Sequence, residues 1–126
     1  PRPAVLVVHD GPGLPSRYLE PLAAQLSQRA GRTCYLYDQL ACGLSHPGPG
    51  ESIAGGLGLQ QSVEDLRDVL RFVREELCEA SAHLAGHSFG GALVMEALLR
   101  RGLFAEAGGG AAAAAARLPR LCSVVL

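Results

Sequence analysis

The stretch Ala82-His83-Leu84-Ala85-Gly86-His87-Ser88-Phe89-Gly90-Gly91 limits the fold more than any other part of the chain. A short apolar run leads into Gly-x-Ser-x-Gly, and an Ala/Leu-rich helical pattern leaves it. A serine at such a strand-to-helix turn sits in strained backbone, with its hydroxyl lifted out of the sheet. Gly86 and Gly90 lack a Cβ, so strand and helix can approach closely on both sides of the turn. The following helix points its free N–H groups and partial positive charge at that hydroxyl. Gly-x-Ser-x-Gly also arises by chance in a chain with 16 Gly. The flanking strand and helix patterns are what set this occurrence apart.

The rest of the chain repeats the strand–helix alternation. Ala4–Val8 is a continuous apolar run of strand length, as expected of a strand buried on both faces. The Gly/Pro loop His9-Asp10-Gly11-Pro12-Gly13 follows it. Residues 16–29 predict a helix with Leu19, Leu22, Ala23, Leu26 and Ala30 on one face, Pro21 in its first turn and Gly31 ending it. Thr33–Tyr37 reads as a second strand. Residues 46–59 are Gly/Pro-rich and aperiodic, a surface excursion. Ser62 is expected to open a helix through a capping box with Asp65, with Val63, Leu66, Leu70, Val73 and Leu77 forming its buried stripe. Ala82–Ala85 is a third strand, a third helix runs from about Phe89 to Arg101 with Gly102 past its end, and Arg120–Leu126 is a fourth strand.

The order β-α-β-α-β-α-β implies an α/β fold, a mainly parallel sheet flanked by helices. Ligands of such sheets sit at the carboxyl ends of the strands. The loops after Val8, Tyr37 and Ala85 all belong to that edge. Residues 1–126 read as a single partial core domain, with a low-complexity Gly/Ala loop at about 105–117. The chain starts at Pro1 and ends inside an apolar run, so a fragment of a longer protein is expected. Its four-strand sheet would carry apolar edges without their usual neighbours, so poor solubility is expected.

With 48% hydrophobic residues, a formal charge of −1 and no basic block, the composition suits a globular domain and gives no sign of a nucleic-acid or membrane partner. Its apolar runs are far shorter than the roughly 20 residues a membrane span needs. Cys34, Cys42, Cys78 and Cys122 lack metal-ligand spacing, so no metal site is expected. They read as reduced thiols of a cytoplasmic protein.

Ser88 is the candidate nucleophile, and a serine hydroxyl needs a base to act as one at neutral pH. Attack on a carbonyl also needs donors for the oxyanion. The expected pair is the backbone N–H of Phe89 and that of Gly11. Asp10 does not fit this scheme. Its carboxylate would repel an oxyanion, so its side chain is expected to turn away into solvent or toward a cation. A loop residue bonded to its own backbone is the plainer alternative. His87 adjoins Ser88, but neighbouring side chains at a sharp turn diverge, which argues against a base role. His83 is expected to be a satisfied core residue, His46 to be solvated and His9 to shape its loop. No histidine follows Ser88. Where the chain order is nucleophile, acid, histidine, the base and the third triad member are missing from this stretch. A dinucleotide site is disfavoured, because Ser16 stands where the third glycine of such a loop belongs.

Three blocks resemble the proline iminopeptidase (prolyl aminopeptidase) family of α/β-hydrolases. His9-Asp10-Gly11-Pro12-Gly13 is similar to its His-Gly-Gly-Pro-Gly oxyanion loop. Asp38-Gln39-Leu40-Ala41-Cys42-Gly43-Leu44-Ser45 is similar to its Asp-Gln-x-Gly-x-Gly-x-Ser segment. Gly86-His87-Ser88-Phe89-Gly90-Gly91 is similar to its elbow. Asp10 and Ala41 each replace a glycine of that pattern, and Phe89 stands where tryptophan is common. The resemblance implies a partial α/β-hydrolase fold whose cap and C-terminal strands are missing. It implies Ser88 as nucleophile with Gly11 and Phe89 at the oxyanion, release of N-terminal proline from peptides, and no cofactor. The partner implied is a small peptide, or a small amide or ester. The isolated chain is expected to be nearly inactive. Two alternatives stay open: a generic esterase or amidase of the same fold, and a non-catalytic binding protein built on it.

Overall fold

The computed structural model describes residues 2–47, 49, 58–100 and 118–126. The expected Gly/Ala loop at about 105–117, the expected helix end at Arg101–Gly102, and residues 48 and 50–57 of the 46–59 excursion lie outside them.

The sheet has four strands, β1 (Ala4–Val8), β2 (Cys34–Leu36), β3 (Ser81–Gly86) and β4 (Arg120–Val125). Their spatial order is β2-β1-β3-β4 and every pairing is parallel. The strand–helix alternation implies such a parallel sheet, and the resemblance implies its partial α/β-hydrolase arrangement. All five residues of β1 are buried, as its unbroken Val-rich run requires of a central strand. The chain steps from β1 to one side for β2 and to the other side for β3. The carboxyl ends of β1 and β3 therefore flank the point where the winding direction reverses, the usual ligand crevice of such sheets.

Helices α2 (Leu59–Glu75) and α3 (Phe89–Leu99) cover one face. Leu6, Val8 and Leu84 from the sheet meet Val63, Leu66, Leu70, Leu93, Val94 and Ala97 there. Fully burying each of the leucines contributes about 1.5–3 kcal/mol. The opposite face is thinner: Val5 and Val7 pack on Leu19.

Three local expectations need correction. The segment 16–29 is not one helix. Ser16–Leu19 is a 3-10 turn, and α1 (Glu20–Ala30) starts after it, with Pro21 in its first turn and Gly31 ending it at φ 58°. Of the expected stripe only Leu19 is buried, and Leu22 is 48% exposed. Ser62 does not cap α2. The helix begins a turn earlier with Gly58 at the cap, and the Ser62 hydroxyl donates back to the Gly58 carbonyl. A local side chain-to-backbone bond has displaced the capping box. Leu77 lies past the end of α2 and is exposed, so the stripe stops at Val73.

Candidate active site

Ser88 stands between β3 and α3 with φ 54° and ψ −116°, a conformation few non-glycine residues adopt. Strain of this kind persists only where the surroundings enforce it, and here two glycines allow the enforcement. A Cβ on Gly86 would meet the Gly90 carbonyl oxygen at 2.6 Å. A Cβ on Gly90 would meet the Val8 carbonyl oxygen at 2.1 Å. The start of α3 is thus pressed against the ends of both β3 and β1. The His87 N–H donates to the Val8 carbonyl at 3.0 Å, tying the turn to β1. Ser88 is left exposed at the carboxyl edge of the sheet.

The loop after β1 supplies the second part. The Gly11 N–H donates to Asp10 Oδ1 at 2.9 Å, and the Phe89 N–H donates to the same oxygen at 3.0 Å. The two backbone donors expected at the oxyanion therefore converge on one point. Both distances fall within the roughly 2.7–3.1 Å range for an oxyanion's donors. The oxygen at that point belongs to the protein itself.

This corrects the expectation for Asp10. Its carboxylate turns inward and caps the first turn of α3 from a distant loop. The cause is the unpaired N–H and partial positive charge of a helix N-terminus, which attract an anion. The Phe89 N–H is the main influence holding the Asp10 carboxyl below its ordinary value, with the Gly11 N–H, the Ser88 side chain and the charge of His87 adding to it. Among the described residues no arginine pairs with this carboxylate.

Tyr18 fixes the backbone of the same loop. Its hydroxyl accepts from the Asp10 N–H at 2.7 Å and lies 2.7 Å from His87 Nδ1. The hydroxyl and His87 Nδ1 are joined by a hydrogen bond whose donor is set by the imidazole's protonation. His87 is thus engaged by Tyr18, as the divergence of adjacent side chains leads one to expect. His9 is fully buried and clamps two loops. Its Nε2 accepts from the Gln39 N–H at 2.9 Å, its carbonyl accepts from Gln39 Nε2 at 2.7 Å, and its Nδ1 contacts the Asp10 carbonyl. Because Nε2 accepts, the ring proton is on Nδ1 and donates to Asp10. His9 shapes its loop. His46 is exposed. His83 is half-buried and satisfied, by Ser123 Oγ at 2.7 Å and Arg32 Nη1 at 3.1 Å.

Asp38 organises the third loop. Its carboxylate accepts from the Ser16 N–H at 2.7 Å and the Leu44 N–H at 2.9 Å. These two amides, Leu44 first, hold its carboxyl below the ordinary value. Gly43 has φ 52°, and a Cβ there would lie 2.2 Å from Asp38 Oδ2, so only glycine fits. Ala41 stands at φ 62° without that freedom. Beside Phe89, a cavity of about 130 Å³ opens between Pro12, Gln39, Leu40 and Cys42.

The sequence reading missed Tyr18 and the inward turn of Asp10. A helix N-terminus without a nearby acidic cap was the available signal for Asp10. Tyr18 stands in a stretch, Tyr18-Leu19-Glu20-Pro21-Leu22, that also resembles the family, but its role is not legible locally because its partners lie 8 and 69 positions away.

Comparison with known proteins agrees with the fold. A family model described as the alpha/beta hydrolase family matches residues 5–124. The proline iminopeptidase of Lactobacillus delbrueckii subsp. lactis is 36% identical over 94 residues, which cover 75% of this chain and 30% of that relative. That of Chitinophaga pinensis is 34% identical over 96 residues, 76% of this chain and 30% of the relative. Among solved structures, a proline iminopeptidase-related protein of Thermus thermophilus superposes with a TM-score of 0.52 at 27% identity, over 80% of this chain and 33% of that one. An extracellular α/β-hydrolase from a Paenibacillus species superposes with a TM-score of 0.55 at 18% identity, over 76% and 34%. The chain thus spans about 30% of the length of the curated relatives it matches.

Proposed function

Since this chain belongs to the α/β-hydrolase family, we propose that it carries the nucleophile and oxyanion site of a serine hydrolase of prolyl-aminopeptidase type. Ser88 attacks the carbonyl carbon of the substrate. The N–H groups of Gly11 and Phe89 hold the oxygen that becomes negative. The acyl group passes to Ser88 and the amine leaves; water then releases the acid. The base and acid of the triad come from outside these 126 residues, and no cofactor takes part.

One observation supports this above the others: two amides, 78 positions apart by residue number (89 − 11), point at a single oxygen beside a serine at φ 54°. A donor pair of this kind has a recognised use in acyl transfer, where losing one donor costs roughly 10²–10³ in rate. The choice of N-terminal proline rests on similarity to proline iminopeptidases. In the full natural chain, Ser88→Ala is expected to abolish release of p-nitroaniline from L-prolyl p-nitroanilide. Equal rates with and without Ser88 would refute the assignment. The isolated 126-residue chain is expected to be nearly inactive, since removing the base of a serine enzyme costs about 10⁶ in turnover.

A second reading has its own support. Asp10 fills the donor pair, as it would in a hydrolase-fold protein used only for binding. A full natural chain that hydrolyses no amide or ester through Ser88 would favour it.

A further inference from the structure

An acyl oxygen cannot enter the donor pair while Asp10 Oδ1 occupies it, so a substrate has to displace the carboxylate. Resting on the serine-hydrolase assignment above, we infer that Asp10 is the recognition residue for a protonated amine α to the scissile carbonyl, and that this amine draws the carboxylate out of the oxyanion site. The site is thereby gated by the charge of the substrate. α-Aminoacyl substrates open it, and uncharged esters or N-acylated peptides leave it plugged.

Three features support this. First, the covalent geometry of an α-aminoacyl group matches the site. Its nitrogen and carbonyl oxygen are separated by N–Cα–C=O, which keeps them roughly 3 Å apart. An oxygen placed where Oδ1 now lies therefore brings the ammonium within reach of a carboxylate that has swung only a short way. Second, the movement needs no loop rearrangement. The Asp10 amide is fixed to the Tyr18 hydroxyl at 2.7 Å, and the Asp10 carbonyl is in contact with buried His9, so only the side chain has to rotate. Third, the carboxylate has no arginine partner among the described residues, and the imidazole of His87 is engaged by Tyr18. Among the described residues the displaced anion thus has no arginine to receive it. A substrate ammonium supplies the cation, through a charge-assisted hydrogen bond of the strong class. No covalent bond is made or broken in the exchange. Two N–H···O bonds pass from carboxylate to substrate oxygen, and one N–H···O bond forms from the amine to the carboxylate.

The test uses the full natural chain and two pairs of substrates: L-prolyl p-nitroanilide against its N-acetyl counterpart, and L-proline p-nitrophenyl ester against p-nitrophenyl acetate. Asp10→Gly removes both the plug and the amine receptor. Asp10→Asn keeps the shape and loses the charge. In both variants the preference for the free amine, read as a ratio of kcat/KM, is expected to fall by at least about tenfold. In Asp10→Gly, Ser88-dependent hydrolysis of p-nitrophenyl acetate is expected to rise about tenfold or more, a fraction of the effect of oxyanion donors. A parallel change on amine and acylated substrates, or no rise with the acetate, would overturn the inference while leaving the hydrolase assignment intact. If Ser88→Ala leaves every rate unchanged, the assignment itself fails and this inference falls with it. Asp10→Asn serves as the readout if Asp10→Gly does not fold.

Discussion

Oδ1 of Asp10 accepts the Phe89 N–H at 3.0 Å across 79 positions of sequence, and it shares that oxygen with the Gly11 N–H at 2.9 Å. One atom thus marks where the loop after β1 and the first turn of α3 aim their free amides. On the proposed mechanism, the same atom occupies the place a reacting carbonyl would need. Both facts rest on one side chain, that of Asp10.

Close approach at Gly90 holds this geometry together. An alanine Cβ would fall 2.1 Å from the Val8 carbonyl oxygen and 2.6 Å from that of His9. Neither is the end of a flexible side chain, so backbone has to move. Gly90→Ala is expected to destabilise the full natural chain by about 3 kcal/mol. It should also lower Ser88-dependent turnover by about 10²-fold, because it shifts the loop that carries Gly11. Urea unfolding and turnover of L-prolyl p-nitroanilide check the two effects, and a variant matching the parent in both would contradict the packing described.

Acid should weaken the fold through its loop carboxylates. Phe89 is the main influence that lowers Asp10, and Leu44 and then Ser16 lower Asp38, in each case from the ordinary 3.8. A carboxyl with a folded pKa below its unfolded one adds stability above the unfolded value. That stability is lost as pH falls through the lower folded value. Urea midpoints should therefore hold steady above about pH 5 and decline below about pH 4. Asp38→Asn should flatten part of the decline and cost about 1 kcal/mol at neutral pH, a value reduced for solvent screening. An unchanged acid slope in that variant would show that the two amides do not act on the carboxylate.

Ala41 sits at φ 62°, where an L side chain crowds its own backbone. Glycine relieves this strain but adds freedom to the unfolded chain. The net expectation for Ala41→Gly is a gain of about 0.5 kcal/mol, read as a rise in the thermal midpoint. A fall would mean that the left-handed turn costs alanine less than the added freedom costs glycine.

Much of this architecture could be read from the residues. The apolar run Ala4–Val8 announced a central parallel strand, and Gly86, Ser88 and Gly90 announced the turn, because each reports a steric demand that is local in sequence. Ser62 misled, since a serine near a helix start can bond back to the preceding turn as readily as it can cap. Leu22 and Leu77 misled because periodicity shows which face is apolar and not whether anything covers it. The inward turn of Asp10 could not be read from its own loop. It depends on donors contributed by α3, and electrostatics across that distance needs the fold to be in place first.

The central claim is that Ser88 is a competent nucleophile with an amide pair beside it. Labelling of the full natural chain with a fluorophosphonate probe, followed by mass mapping of the modified peptide, tests it most directly. The expected result is a phosphonyl adduct on Ser88 that Ser88→Ala abolishes. An intact protein without adduct, or an adduct that persists in Ser88→Ala, would contradict it.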